Sequence, residues 1–359
     1  MPEETKQHFT GNIFIFHAYD VGDDINLEEV KEKQLLTRRP LQLSKYFKNY
    51  HTPVEVELPH PHSSSRIFST KLHGFGVITL SYKIPFSQSL EDLRQEISAL
   101  DDEYNEQSVI DAGSLFSKIK TEIKQPKFFH LRKSYMVVQV DPEPSIDIEV
   151  LKTSFGGTIA SILRFETDTL SEYQKNEILD SAVGYYRGSL IVIDTEAAFT
   201  YEAEYEEILD LFEFANMQNL ELQYFDRILA QQLNVVYERG MQRVPFQSFL
   251  PFMAGLTSDP ITALGKMKVD ISVITERLEN SIKLAGEEYF SDIFALLTEK
   301  LDIRNWQASI QRKLSIIFDL RSVYEKKVDN VREDLLSVLI IVLIFTELVV
   351  GILNLFRHG

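Results

Sequence analysis

The chain has 359 residues, with 37 Lys and Arg against 54 Asp and Glu, a formal net charge of −17. That balance excludes wholesale electrostatic binding to nucleic acid, while leaving room for a local basic face; a content of 44% hydrophobic and 25% charged residues excludes a disordered chain. The absence of cysteine excludes disulfides, thiolate nucleophiles, Cys-ligated zinc and iron–sulfur clusters.

The opening MPEETKQHFTG carries Glu3 and Glu4 and lacks both an apolar signal core and an Arg-rich presequence. The chain is therefore expected to start in the compartment where it is made. Asn12 to Tyr19 (NIFIFHAY) alternates through Ile13, Ile15 and His17 and reads as a strand. Asp23 or Asp24 caps a short helix facing inward through Leu27 and Val30. His51 to Thr70, rich in Pro, His and Ser, reads as a loop or Pro-limited edge. Gly74 to Pro85 gives a second strand. Helices follow from Ser89 to about Gln107 and from about Asp111 to Ile123. Tyr135 to Val140 and Ser189 to Asp194 are buried-type strands, the latter paired with Ala197 to Tyr201.

Beyond Tyr201 the pattern is helical. Ile208, Leu211, Ala215, Leu222, Phe225, Leu229, Leu233 and Val236 describe one face of a long helix ended by Gly240. Asp259-Pro260 opens another helix, a shorter one spans about Glu288 to Leu301, and Asp302 caps the last. The last carries Ile303, Trp306, Ile310, Ile317, Tyr324 and Val331 and runs into an apolar segment without a Pro or Gly. Lys313 and Lys327 at d-type positions argue against a long strict dimeric zipper.

Leu335 to Phe356 holds 17 Leu, Ile, Val or Phe in 22 residues. As a helix it is about 33 Å long, enough for a hydrocarbon core of roughly 30 Å. Seventeen such residues at about −0.3 to −0.6 kcal/mol outweigh one central carboxylate at about +2.5 to +3.5. With only Arg357, His358 and Gly359 after it, the span reads as a tail anchor, and Arg321, Lys326, Lys327 and Arg332 keep the N-terminal part cytoplasmic. Glu347 near the midplane is either a proton or ion site or a hydrogen-bonding contact between copies. One carboxylate on one span makes no transport pathway, so the intramembrane contact is the expectation.

The expected fold class is α+β. A mixed α/β domain over residues 1–203 precedes long antiparallel coiled-coil-like helices over 204–334 and a single transmembrane helix over 335–356.

Reaction chemistry is sparse. Gly74-Phe-Gly76 and Gly156-Gly157 lack the rest of a phosphate loop, and neither G-x-S-x-G nor H-E-x-x-H occurs. His60-Pro-His62, with His51, Glu55, Glu57 and His73 nearby, reads as a solvated turn rather than a metal site. No catalytic, cofactor-binding or metal residue is assigned, and no enzyme activity or cofactor is expected.

Charge is uneven. Residues 31–48 and 118–133 are each net +5, which leaves −27 for the rest of a chain at −17. Lys118, Lys120, Lys124, Lys127, Arg132 and Lys133, with Arg38 and Arg39, are the candidate partner-binding residues. They form either a basic face for RNA, a ribosome or anionic lipid, or two solvated helix faces.

Residues 215–233, 287–328 and 338–353, with Leu301-Asp302, Arg312-Lys313-Leu314 and Glu347, resemble the "required for meiotic nuclear division" family. Its YagE-like and Sif-type members carry a domain of unknown function. Tyr289-Phe290-Ser291-Asp292 stands where that family has a Trp–acid–x–Pro–Glu turn, and Asp334-Leu335-Leu336 where it has Glu-Trp. The resemblance implies a divergent bacterial member, membrane-anchored and non-enzymatic, whose mitochondrial relatives hold ribosomes near a membrane. The combined expectation is a tail-anchored scaffold that recruits a cytosolic partner and forms homo-oligomers; a ribosome or RNA tether is the alternative.

Overall fold

The computed structural model describes residues 7–22, 24–33, 35, 53–58, 66–128, 132–184, 188–239 and 288–358. It divides into two compact units, Met1–Tyr224 with Ile274–Gln307, and Phe225–Val273 with Ala308–Gly359.

The first unit is built on an eight-stranded mixed sheet. Its strands are β1 (Phe9–Asp20), β3 (Val54–Glu55), β4 (Ile67–His73), β5 (Val77–Gln88), β7 (Arg132–Val140), β8 (Ala182–Val183), β9 (Leu190–Ile193) and β10 (Ala197–Tyr201). They lie in the order β3-β4-β5-β1-β7-β10-β9-β8, with β10 parallel to β7 and every other pair antiparallel. A small pair, β2 (Asp24–Ile25) and β6 (Ile123–Lys124), stands apart. The helices of this unit are α1 (Leu27–Glu32), α2 (Leu90–Ile119), α3 (Ile148–Leu163), α4 (Glu172–Leu179), the first part of α5 (Glu206–Arg239) and α6 (Glu288–Lys300).

β1 explains the layering. Alternate side chains leave opposite faces of a strand, and from Ile13 to Asp20 every residue is buried. Ile13, Ile15 and Tyr19 enter a core shared with Leu93, Ile97 and Leu115 of α2 and Ile159 and Ile162 of α3. Ala18 joins Val77 of β5 and Phe214, Met217 and Leu220 of α5 on the other face. The sheet is therefore covered on both sides, and its central strands read as continuous apolar runs.

Gly11 is required by close approach: a Cβ there would stand 2.0 Å from the Gln139 carbonyl oxygen on β7. Gly11→Ala should cost about 1–3 kcal/mol as an overpacked strand contact, read as a lower denaturant midpoint. An unchanged midpoint would mean that β1 and β7 can part freely.

One sequence expectation sharpens and another changes. Residues 51–70, expected as a loop or Pro-limited edge, contribute β3, at the edge of the sheet, and the start of β4 beside it, so among the described residues the edge alternative holds. Their polar residues Ser69 and Thr70 are buried in the sheet rather than solvated. The two helices expected between Ser89 and Ile123 are one 30-residue helix. Its mid-segment polar residues Ser108 and Asp111 face the sheet, where Tyr19 and Tyr82 hydroxyls meet them. The helix expected after Asp259-Pro260 lies outside the described residues.

In the second unit, Asp226 on α5 accepts hydrogen bonds from Ser309 at 2.7 Å and Lys313 at 2.5 Å, both on α7 (Ile303–His358). That contact accounts for a lysine where a coiled-coil stripe would carry an apolar residue. α7 continues unbroken for 56 residues.

Candidate functional site

The small β2–β6 pair brings parts of the two basic segments together. Asp24 pairs with Lys124 and Ile25 with Ile123, and the Asn26 amide donates to the Glu122 carbonyl at 2.9 Å. Buried Glu122 receives Lys33 at 2.9 Å. Burial opposes ionisation of its carboxyl, but the Lys33 ammonium and Thr121 hydroxyl outweigh that and hold its pKa below the ordinary value. Lys118, Lys120, Lys124 and Lys127 are exposed around this corner.

Acids interleave with these cations. Lys31 contacts Glu28, Lys33 also reaches Glu29 at 3.5 Å, and Asp24 stands 3.9 Å from Lys124. The charge windows miss this because Asp24, Glu28 and Glu29 fall just outside them. Arg132 and Lys133 are neighbours on β7 and leave opposite faces of the sheet. The six candidates from Lys118 to Lys133 thus divide, four at one corner and two on opposite sides. Arg38 and Arg39 lie outside the described residues.

A second constellation lies under α5 and was missed from the sequence. Glu213, fully enclosed, accepts Lys71 of β4 at 2.6 Å on one oxygen and the Thr79 hydroxyl of β5 at 2.7 Å on the other. His73 Nε2 lies 3.2 Å from the same Thr79 oxygen, and Asp210 3.7 Å from Lys71. The register explains the meeting, since Lys71 pairs with Thr79 and His73 with Val77. Asn216, one turn on, donates to the Lys133 carbonyl at 3.1 Å.

The electrostatics are those of a largely desolvated ion pair, Glu213 being buried and Lys71 and Asp210 part-buried. Burial disfavours charge on Lys71, but Glu213 and Asp210 raise its pKa well above the ordinary lysine value. Burial likewise works against the Glu213 carboxylate, yet Lys71 and Thr79 hold it below the usual range. Asp210 is pushed up to about 6 by burial and by Glu213, with Lys71 opposing. Burial, aided by Lys71 and opposed by Glu213, pulls His73 down to about 3. Farther along α5, burial and the nearby Asp20 push Glu221 well above the carboxylate range. Shifts of this kind also mark catalytic sites. Here the groups lie between sheet and helix, and their evident work is to clamp α5. The signal for them is a helix buried on every side around Glu213, Asn216, Gln218, Asn219 and Glu221.

The opposite face carries a quieter polar layer. Tyr19 meets Ser108 at 2.7 Å, Tyr82 donates to Asp111 at 2.8 Å, and His17 stands edge-on to Tyr82. Among the described residues no group of three His, Asp or Glu is placed to hold a metal ion. His51, His60 and His62 lie outside them.

The last element is the apolar stretch of α7. Within Glu333–Leu353 the most apolar 18 residues have a mean hydropathy of 2.8 and none of them is buried, so the segment is long and apolar enough to cross a membrane. Glu347 is exposed on it.

Comparison with known proteins places this architecture. A family model described as "Uncharacterized protein MJ0711, N-terminal domain" matches residues 10–207. The chain is 19% identical over 196 residues to uncharacterized protein MJ0711 of Methanocaldococcus jannaschii, covering 54% of this chain and 58% of that protein. The chain thus spans less than two thirds of that relative. No solved structure matches. The matching family is archaeal and uncharacterized, which overturns the resemblance to the meiotic nuclear division family. That resemblance took in most of the chain, including the strand before Asp20-Val21-Gly22, but was specific only after about Phe214, where amphipathic stripes and an apolar run recur in unrelated helical chains. The family match covers the sheet domain instead.

Proposed function

The chain belongs to the MJ0711 N-terminal-domain family, whose description names no activity, and we propose that it is a single-span membrane-anchored scaffold. The observation that carries this reading is the exposed apolar stretch Glu333–Leu353 at the end of an unbroken helix. A soluble protein rarely leaves so large an apolar surface uncovered. Basic residues Arg321, Lys326, Lys327 and Arg332 precede the span, and they favour a cytoplasmic sheet domain. The long helices α5 and α7, tied through Asp226, pair in coiled-coil fashion below the span. The role is non-catalytic: the shifted titratable groups are enclosed in the core of the first unit, where they hold helices to the sheet. A cytosolic partner is recruited by the exposed surface of that unit.

Alkaline carbonate extraction tests the anchor. The full-length chain should remain in the membrane pellet, while a chain ending at Asp334 should be released. Release of the full-length chain would overturn the reading.

A further inference from the structure

Resting on that anchoring, we propose that the span pairs side by side with the span of a second copy of this chain, along the face that carries Glu347 and Gly351. Glu347 lies about 2 Å along the helix axis from the middle of the 22-residue apolar run. Thr346 beside it is satisfied by its own helix, donating to the Leu343 carbonyl at 2.8 Å. Among the described residues nothing meets the Glu347 carboxyl, and the side chain is exposed. Lipid tails offer neither donor nor acceptor, so an unmet carboxyl at that depth is costly.

The remainder of the face suits a helix neighbour. Gly351 follows Glu347 by one turn, and nothing stands within 4 Å of the Cβ position there. A second backbone can approach closely at such a residue. Ile340 and Leu343 continue the same face toward the start of α7, whereas Val342 and Val349 lie on the opposite side of the helix.

A second copy is the occupant that the depth of Glu347 selects. All copies insert in one orientation, so identical residues sit at identical depth. A two-fold axis along the membrane normal then sets Glu347 against Glu347, an isologous contact. The two side chains then meet each other across the helix contact instead of lipid tails. A foreign span would have to offer a donor at that same depth independently.

The chain contains no cysteine, so single cysteines introduced into the full-length protein report contacts without background. Purified protein is reconstituted into phosphatidylcholine vesicles and oxidised with copper phenanthroline. Ile340→Cys and Leu343→Cys should form disulfide dimers at least about fivefold more than Val342→Cys and Val349→Cys. Adding Glu347→Leu to Ile340→Cys should lower the dimer by a similar factor, whereas Glu347→Gln, which keeps a donor and an acceptor, should retain most of it. Equal cross-linking on both faces, or a dimer indifferent to Glu347→Leu, overturns the pairing. Carbonate extraction of the same vesicles separates the two readings: protein that stays inserted but shows no preferred face defeats the pairing alone, and protein that is released defeats the anchor with it.

Discussion

Lys71→Met should destabilise the first unit by about 3–5 kcal/mol, the cost of leaving a buried charge without its partner. Glu213 is buried, and among the described residues its carboxyl accepts from Lys71 and Thr79. Without the ammonium, the Thr79 hydroxyl is left as its donor and Asp210 becomes an unbalanced neighbour. The paired change Lys71→Met with Glu213→Leu should recover most of the loss, because apolar groups of similar volume replace a buried pair at little cost. Urea unfolding of the full-length chain in detergent, followed by the fluorescence of Trp306, the single tryptophan, measures both. If the double variant were as unstable as the single one, shape rather than charge would hold α5. The pH dependence is specific. Glu213 lies below its ordinary 4.5, so its contribution is present above that pH and is lost as pH falls through the folded value. Lys71 lies above its ordinary 10.5, so its contribution is present below that pH and is lost as pH rises through the folded value. In the variant, burial raises Glu213 with no ammonium to oppose it and Asp210, already at about 6, rises further, so the cost of Lys71→Met should be smallest near pH 5 and grow as pH rises.

The same cluster shows where sequence reading stops. β1, β5, β7, β9 and β10 were legible because their neighbours bury both faces and leave apolar runs. β4 was not, because Ser69, Thr70, Lys71 and His73 look like loop residues until Glu213, 142 positions from Lys71, is set over them. The polar middle of α2 hid a continuous helix for a similar reason, with Ser108 and Asp111 answering tyrosines on β1 and β5. Such pairings are long-range, and no local periodicity carries them. The helical stripe of α5 could be read from its apolar positions, but burial of its polar positions could not. Charge behaves likewise: windows along the chain found net +5 twice, while Asp24, Glu28, Glu29 and Glu122 meet those cations in space. A helix long and apolar enough to cross a membrane needs only length and composition, so that much of the C-terminal segment was legible.

His17→Leu should make the chain more resistant to acid, with a gain over the parent of about 1 kcal/mol at pH 5.5 and about 2–3 kcal/mol at pH 4.5 beyond any difference at pH 7. His17 is completely buried, and among the described residues neither ring nitrogen has a hydrogen-bond partner. Burial, aided by the Arg132 guanidinium, pulls its pKa from 6.5 to about 3. The folded chain keeps the ring neutral while the unfolded chain binds a proton below pH 6.5, so stability falls as pH drops through that value and levels only near pH 3. His73 adds a parallel loss, being pulled down to about 3 as well. Asp210 and Glu221 act in the opposite sense, because burial makes the folded state hold their protons more tightly. The absolute acid curve mixes these contributions, whereas the difference between parent and variant isolates His17. At pH 7 that difference should stay within about 1.5 kcal/mol, since removing two unpartnered nitrogens offsets the change of shape. Urea midpoints from pH 7 to 4.5, read by Trp306, supply it. A difference that stayed constant over that range would mean that the folded chain protonates the ring as readily as the unfolded one, and hence that water reaches the layer between β1 and α2.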